Sequence, residues 1–257
     1  DEEIRMIFQN KSDIKYIFRC LDYNKVFDDK SDYNYDNVPT YLYDDNPWND
    51  VQYLFNKDVF IDNTLGVVKY TLHGQKMPDM DQYSSWAADH PVGKDYVLQN
   101  YSAPARCEDQ KEFTEKEAEI VRHNVEENVL DMVKAHPETT FYFYTPPYSA
   151  LWWYKTKCSG NLKRYFQAEQ LQAELLLQYD NVKLFSFTDL FDLTCDLDNY
   201  KDDTHYSEQI SADIMDWIHD GTYQMTEANY KSRIENMTDY YLHYNYSKSG
   251  IPLAQEN

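Results

Sequence analysis

Hydrophobic positions along the chain follow two periods. Short runs rich in β-branched and aromatic residues read as strands: "DIKYIFRCL" over 13–21, with Ile14 to Cys20 as its buried part, "TTFYFYT" over 139–145 and "NVKLFSF" over 181–187. Elsewhere apolar residues recur every three or four positions. Ile120, Val121, Val125, Val129, Met132 and Val133 form one such stripe, opened by a capping box of Thr114 and Glu117. A helix is predicted over about 46–57, where Asn46 is the N-cap and Pro47 the first helical residue, and another over 58–72. Others are predicted over about 159–179, over "SEQISADIMDWIHDG" with its stripe of Ile210, Ile214 and Ile218 before Gly221, and from near Thr226 to about Tyr244. From His73 to about Glu112 the periodicity fails, and Pro78, Pro91 and Pro104 interrupt the chain. Residues 73–112 are therefore read as an irregular, lid-like region within a single domain spanning 1–257.

Strands separated by helices are βαβ units. They predict an α/β fold in three layers, with a parallel sheet, right-handed crossovers and helices on both faces. In such sheets functional residues gather at the carboxyl ends of the strands. The segments "PPYS" and "DDTHYS" both follow strands, so they are expected on the same edge.

Composition narrows the partners. The 24 basic against 45 acidic side chains give a net charge of -21, which repels phosphate backbones and anionic lipid surfaces. Nucleic acid is excluded as a partner on that ground. The hydrophobic fraction of 42% is that of a folded chain. Tyrosine accounts for 25 residues; it suits half-buried surfaces and sugar-binding clefts, and equally serves as a plain substitute for phenylalanine. Cys20, Cys107, Cys158 and Cys195 form no C-x-x-C pair; two disulfides can form, but the spacing demands none. No apolar run approaches the roughly 20 residues that span a bilayer. The opening "DEEIRMIFQN" is acidic and amphipathic rather than a signal peptide, and begins as if within an uncapped helix. It leads to the expectation that further chain precedes it.

Candidate chemistry centres on "NYKDDTHYS", residues 199–207. An imidazole accepts a proton from a hydroxyl nucleophile when a carboxylate orients it and stabilises the cation. Asp202, three residues before His205, suits that task, with Asp203 as competitor. In "FYFYTPPYSALWWY" two prolines stiffen the strand exit and fix Tyr148 and Ser149. Trp152 and Trp153 either wall a cleft for a sugar ring or acyl chain or pack as core. Ser149, Ser84 and Ser85 (the last two near His90) are candidate nucleophiles, though none stands in a G-x-S-x-G or G-D-S turn. Asp196, Asp198, Asp202, Asp203 and His205 could ligate a divalent ion, but the segment lacks the EF-hand glycine and terminal glutamate. No metal and no cofactor is expected.

Three segments carry a family resemblance: "YLYDDNPWNDVQYLFNK" (41–57), "HPETTFYFYTPPYSALWWY" (136–154) and "NYKDDTHYSEQISADIMDWI" (199–218). The chain resembles the SGNH (GDSL-type) hydrolase superfamily, and more narrowly its extracytoplasmic bacterial members of cell-envelope and surface-polysaccharide modification, the D-alanyl transfer protein of teichoic acids among them. The resemblance implies a flavodoxin-like sheet, and assigns Asp202 and His205 as the acid and base of the triad. It implies an acyl esterase or O-acyltransferase acting on a cell-surface glycan or an acylated small substrate, with Tyr148, Ser149 and Trp152 at the substrate cleft. The Gly-Asp-Ser-like turn, the glycine block and the Gly-x-Asn block of the family are missing, and the chain holds six glycines in all. By the resemblance, this chain lacks the N-terminal strand–helix units, the serine and a membrane anchor, which would lie upstream. A protein that kept the base but lost the serine is the other account, and a non-catalytic glycan-binding or assembly module is the rival function.

Overall fold

The computed structural model describes residues 2–11, 13–28, 39–75 and 91–254. The chain divides into two compact units, one of Asp1–Asp29 with Pro91–Asn257, the other Lys30–His90.

The larger unit is mixed α/β. Helix α1 (Glu2–Asn10) leads into strand β1 (Tyr16–Cys20). The smaller unit follows with the short helix α2 (Val51–Leu54), a π-helical stretch over Asp58–Leu65 and α3 (Gly66–Leu72). The predicted helix at 46–57 is thus reduced to one turn. Asn46 accepts from the Trp48 amide at 3.2 Å, which closes a turn rather than opening a long helix. Within the nominal lid, α4 (Lys94–Gln99) is regular and residues 100–114 run without a helix or strand; residues 76–90 lie outside the described set.

Helix α5 (Glu115–Val125) starts at the predicted capping box, and both halves of that box are formed. A π-helical turn joins it to α6 (Asp131–Ala135), which feeds β2 (Thr140–Thr145). Then come α7 (Ala150–Cys158), α8 (Leu162–Leu176), β3 (Val182–Ser186), α9 (Phe191–Thr194), α10 (Glu208–Asp220), β4 (Gln224–Met225) and α11 (Tyr230–His243). The helix predicted over about 159–179 forms as α8 and begins at Leu162, because Gly160 ahead of it takes a positive φ of 74°. A Cβ there would stand 2.4 Å from the Asp109 carbonyl oxygen, so glycine is required.

The sheet is open, with strand order β1-β2-β3-β4. β1, β2 and β3 are parallel, but β4 pairs antiparallel with β3, so the wholly parallel sheet expected from the βαβ rhythm gives way to a mixed one. The reason lies in the connection. α10 ends at Gly221 in the left-handed region, and the chain turns straight back onto β3. Phe141, Phe143, Val182 and Leu184 face a large core built with α5, α6, α7, α8 and α11. On the opposite face Phe185, Phe187, Tyr142 and Tyr144 meet the Ile210, Ile214 and Ile218 stripe of α10. Arg233 of α11 holds Asp189 through two 2.7 Å contacts and donates to the Ser186 carbonyl at 2.9 Å, which fixes α11 to the end of β3.

Of the cysteines, Cys107 and Cys158 are bonded across 51 residues, and Cys20 and Cys195 are free thiols. The bridge pins the irregular 100–114 segment to the end of α7, where the Glu108 amide also donates to the Cys158 carbonyl at 2.8 Å. Closing a loop of this length limits the unfolded chain by about 4 kcal/mol in the chain-entropy account. Urea unfolding with and without a thiol reductant is expected to differ by that order; coincident midpoints would show that the bridge constrains nothing.

Candidate functional site

The carboxyl ends of β1, β2 and β3 carry the candidate residues. After β3 the chain passes α9 and a 3-10 turn over Leu197–Asn199, then doubles back in a tight loop closed by a bridge between Tyr200 and Tyr206. The Lys201 amide donates to the His205 carbonyl at 2.8 Å, and the Ser207 amide to the Asn199 carbonyl at 2.9 Å. Ser207 then caps α10.

Asp202 shapes this loop and also holds the ring. Its Oδ1 accepts from the backbone amides of Thr204 at 2.8 Å and His205 at 2.7 Å. Its Oδ2 lies 2.6 Å from Nδ1 of His205. Burial pushes the Asp202 pKa up, but the amides of His205 and Thr204, the imidazole hydrogen bond and its charge together outweigh this and hold the carboxyl below its usual range. Both side chains are about half exposed, 52% for His205 and 47% for Asp202, so the pair adds little to stability; its value is orientation.

The competitor is engaged elsewhere. Asp203 Oδ2 accepts from Lys155 Nζ at 2.7 Å, and the Asp203 carbonyl accepts from both the Ser149 hydroxyl at 2.8 Å and the Ser149 amide at 3.2 Å. Ser149 is fully buried and is the N-cap of α7, accepting from the Trp152 amide. Its hydroxyl is committed to backbone, so it serves here as the tie between the "PPYS" turn and the Asp202–His205 loop. A second tie is made by Tyr200, whose hydroxyl donates to the Pro147 carbonyl at 2.6 Å. Ser149→Ala is expected to cost about 1–2 kcal/mol and to speed hydrogen exchange at the amides of Thr204 and His205. Unchanged exchange there would show that the loop holds without this tie.

Tyr148 is buried and donates its hydroxyl to Asp22 Oδ1 at 2.9 Å. Burial, followed by the Asp22 charge, raises its pKa, so the phenol stays protonated. Trp152 is 7% exposed, with its ring among Tyr23, Tyr148, Trp153 and Tyr165. Trp153 is fully buried and stacks on Phe166. Ser84, Ser85 and His90 lie outside the described residues. Among the described residues no group of three or more His, Cys, Asp or Glu side chains is arranged to hold a metal ion.

Sequence reasoning missed Asp22 and Lys155. Asp22 stands two residues beyond the end of β1, so the carboxyl-edge rule applied to "RCLDYN" would have found it. Lys155 carries no such signal, because its partnership with Asp203 depends on how α7 packs against the loop.

Beneath the edge lies a buried polar knot. Glu169 of α8 is 3% exposed and its carboxyl accepts from Tyr23 at 2.7 Å, Thr145 at 3.1 Å and Ser186 at 3.2 Å. Thr145 and Ser186 are the last residues of β2 and β3. Burial raises the Glu169 pKa to about 7 against the pull of the three hydroxyls, with Asp189 adding to the rise.

Comparison with protein-family models, with curated proteins and with solved structures finds no match to this chain.

Proposed function

We propose that this chain carries the acid–base half of an SGNH-type acyl esterase or O-acyltransferase, built on a flavodoxin-like three-layer sheet and acting on a cell-surface glycan or an acylated small substrate. One observation carries the reading: the His205 imidazole is held at 2.6 Å by Asp202, in a loop that follows β3. With Nδ1 turned to the carboxylate, proton transfer falls to Nε2. In the reaction a serine hydroxyl attacks the acyl carbon while Nε2 takes its proton. The tetrahedral intermediate then collapses, and the imidazolium returns the proton to the departing alkoxide. Asp202 stabilises the cation between these steps. The serine comes from outside the 257 residues, which fits the backbone role of Ser149 and the missing Gly-Asp-Ser turn. Tyr148, with Asp22 fixing its hydroxyl, stands next to Ser149 at the turn that the two ties join to this loop. An extracytoplasmic, envelope-associated location, with a membrane anchor upstream, belongs to the same reading, and the Cys107–Cys158 disulfide supports an oxidising compartment.

The missing nucleophile also favours a second reading, a non-catalytic glycan-binding or assembly module. An activated-ester substrate and a fluorophosphonate probe separate the two. The natural polypeptide, with the residues encoded ahead of Asp1, is expected to turn over the ester and take the label, and to lose both in His205→Ala. A folded polypeptide that does neither, while retaining acylated glycan, is the binding module instead.

A further inference from the structure

The buried knot at Glu169 reaches beyond the three hydroxyls it holds. Its two carboxyl oxygens have different partners. Oε2 accepts from Tyr23 at 2.7 Å, whereas Oε1 lies 3.1 Å from the Thr145 hydroxyl and 3.2 Å from that of Ser186. The Tyr23 hydroxyl is also 3.1 Å from Thr188 Oγ1, and Thr188 Oγ1 is 3.3 Å from the Pro146 carbonyl. Pro146 opens the "PPYS" turn, and its carbonyl accepts from the Tyr148 amide at 2.9 Å. Glu169, Tyr23, Thr188 and Pro146 thus form an unbroken line from α8 to the turn that carries Tyr148 and Ser149. Glu169, Tyr23 and Thr188 are all buried.

A hydroxyl has one proton to give, so such a line can run in either direction. With Glu169 ionised, Tyr23 donates to the carboxylate and Thr188 donates to the Tyr23 oxygen, with both dipoles aligned toward the charge. The Pro146 carbonyl then loses the Thr188 bond and keeps that of the Tyr148 amide. With Glu169 protonated, the place of the proton decides. On Oε1 it would donate to Thr145, which donates to Ser186 at 2.8 Å, and the acceptor left to Ser186 is the Met237 thioether at 3.8 Å, a weak one. On Oε2 it donates to Tyr23, Tyr23 to Thr188 and Thr188 to the Pro146 carbonyl, while Ser186 still donates to Oε1. Protonation therefore falls on Oε2, and the line reverses.

The ionisable groups facing this line come from several elements. Tyr165 of α8 packs its ring on Tyr23 at 6.2 Å, and Tyr241 of α11 donates to the Thr188 carbonyl at 2.8 Å. Burial is the first cause that raises the pKa of Tyr23, Tyr165 and Tyr241, so all three phenols stay protonated. α7 sets Trp152 and Trp153 against the Tyr23 ring, and Tyr148 ahead of it bonds to Asp22. Asp189, beyond β3, is paired with Arg233 of α11, which also donates to the Ser186 carbonyl.

We infer that Glu169 is a proton-operated latch on the carboxyl edge: its ionisation reverses the Tyr23–Thr188 line and releases the Thr188 bond to the Pro146 carbonyl. Protonated, it holds the "PPYS" turn and, through the Ser149 bond to the Asp203 carbonyl, steadies the Asp202–His205 loop. Ionised, it loosens that turn. Burial sets the change near neutral pH, at about 7. The latch is independent of the hydrolase reading, since the same turn would be set in an enzyme and in a binding module.

A pH titration followed by NMR on the 257-residue chain tests this. The Glu169 carboxyl ¹³C shift is expected to move with a midpoint of about 7, and the Tyr148 amide proton to follow it with the same midpoint. In Glu169→Gln the amide step at that midpoint is lost. The new side chain offers one donor and one acceptor, as the neutral acid does, so the Tyr148 amide keeps its low-pH position throughout. Thr188→Val cuts the line between Tyr23 and Pro146; Glu169 should still titrate, and the Tyr148 step should shrink. A Glu169 carbon that titrates near the ordinary 4.5 would overturn the inference. So would a Tyr148 step that survives in Glu169→Gln, which assigns it to another group, or one that Thr188→Val leaves unreduced, which sends it by another route. Ester turnover reads the hydrolase proposal separately, so either can fail alone.

Discussion

Glu169→Ala is expected to destabilise the fold by about 3–5 kcal/mol, lowering the melting temperature by roughly 10 °C. The carboxyl is the common acceptor for Tyr23, Thr145 and Ser186. Its removal strips a shared partner from three buried hydroxyls and leaves a cavity at the ends of two strands. Glu169→Gln separates charge from shape. A buried carboxyl whose pKa rises from 4.5 to about 7 on folding binds its proton more tightly in the native state. Its contribution to stability is full below pH 4.5 and is lost as pH climbs to about 7, on the order of 3 kcal/mol in all. The glutamine variant lacks this loss. Its stability relative to the parent should therefore rise between pH 4.5 and 7 and stay level above. Asp189, which adds to the upward push, is paired with Arg233. Urea titrations at several pH values check this; a difference that does not change with pH would show that Glu169 is ionised at no greater cost inside than outside.

The other large effect is on turnover. In the natural polypeptide, His205→Ala is expected to lower kcat by about 10⁴- to 10⁶-fold, and Asp202→Asn by on the order of 10⁴-fold. The asparagine can still accept the two loop amides, but it no longer stabilises the imidazolium or favours the proton on Nδ1. Asp203→Asn is the control. Its side chain pairs with Lys155 and its carbonyl, which meets Ser149, is unchanged, so kcat should stay within about tenfold. Equal losses from Asp202→Asn and Asp203→Asn would remove the orienting role from Asp202.

β1, β2 and β3 were legible within two residues at each end, because a run such as "TTFYFYT" packs on both faces and excludes helical spacing. α5 was legible from its cap, and α10 from its isoleucine stripe and Gly221. α7 was not. Seven of its nine residues are buried, so it has no polar face and no period to detect. That is also why Trp152 and Trp153 stayed open between cleft wall and core in the sequence. β4, at two residues, is too short to carry a pattern. At the site, the spacing placed both Asp202 and Asp203 within reach of His205. The choice between them depends on Lys155 and Ser149, contacts 48 and 54 residues away in the chain. The disulfide pairing was equally hidden, since it depends on where the irregular 100–114 segment meets α7.

The tautomer of His205, read from the ¹⁵N shifts and one-bond couplings of its neutral ring, tests the acid–base pair most directly. The geometry predicts a proton held on Nδ1 toward Asp202, with the lone pair on Nε2, and a shift toward the opposite tautomer in Asp202→Asn. A ring that already carries its proton on Nε2, or tautomer populations that Asp202→Asn leaves unchanged, would contradict it.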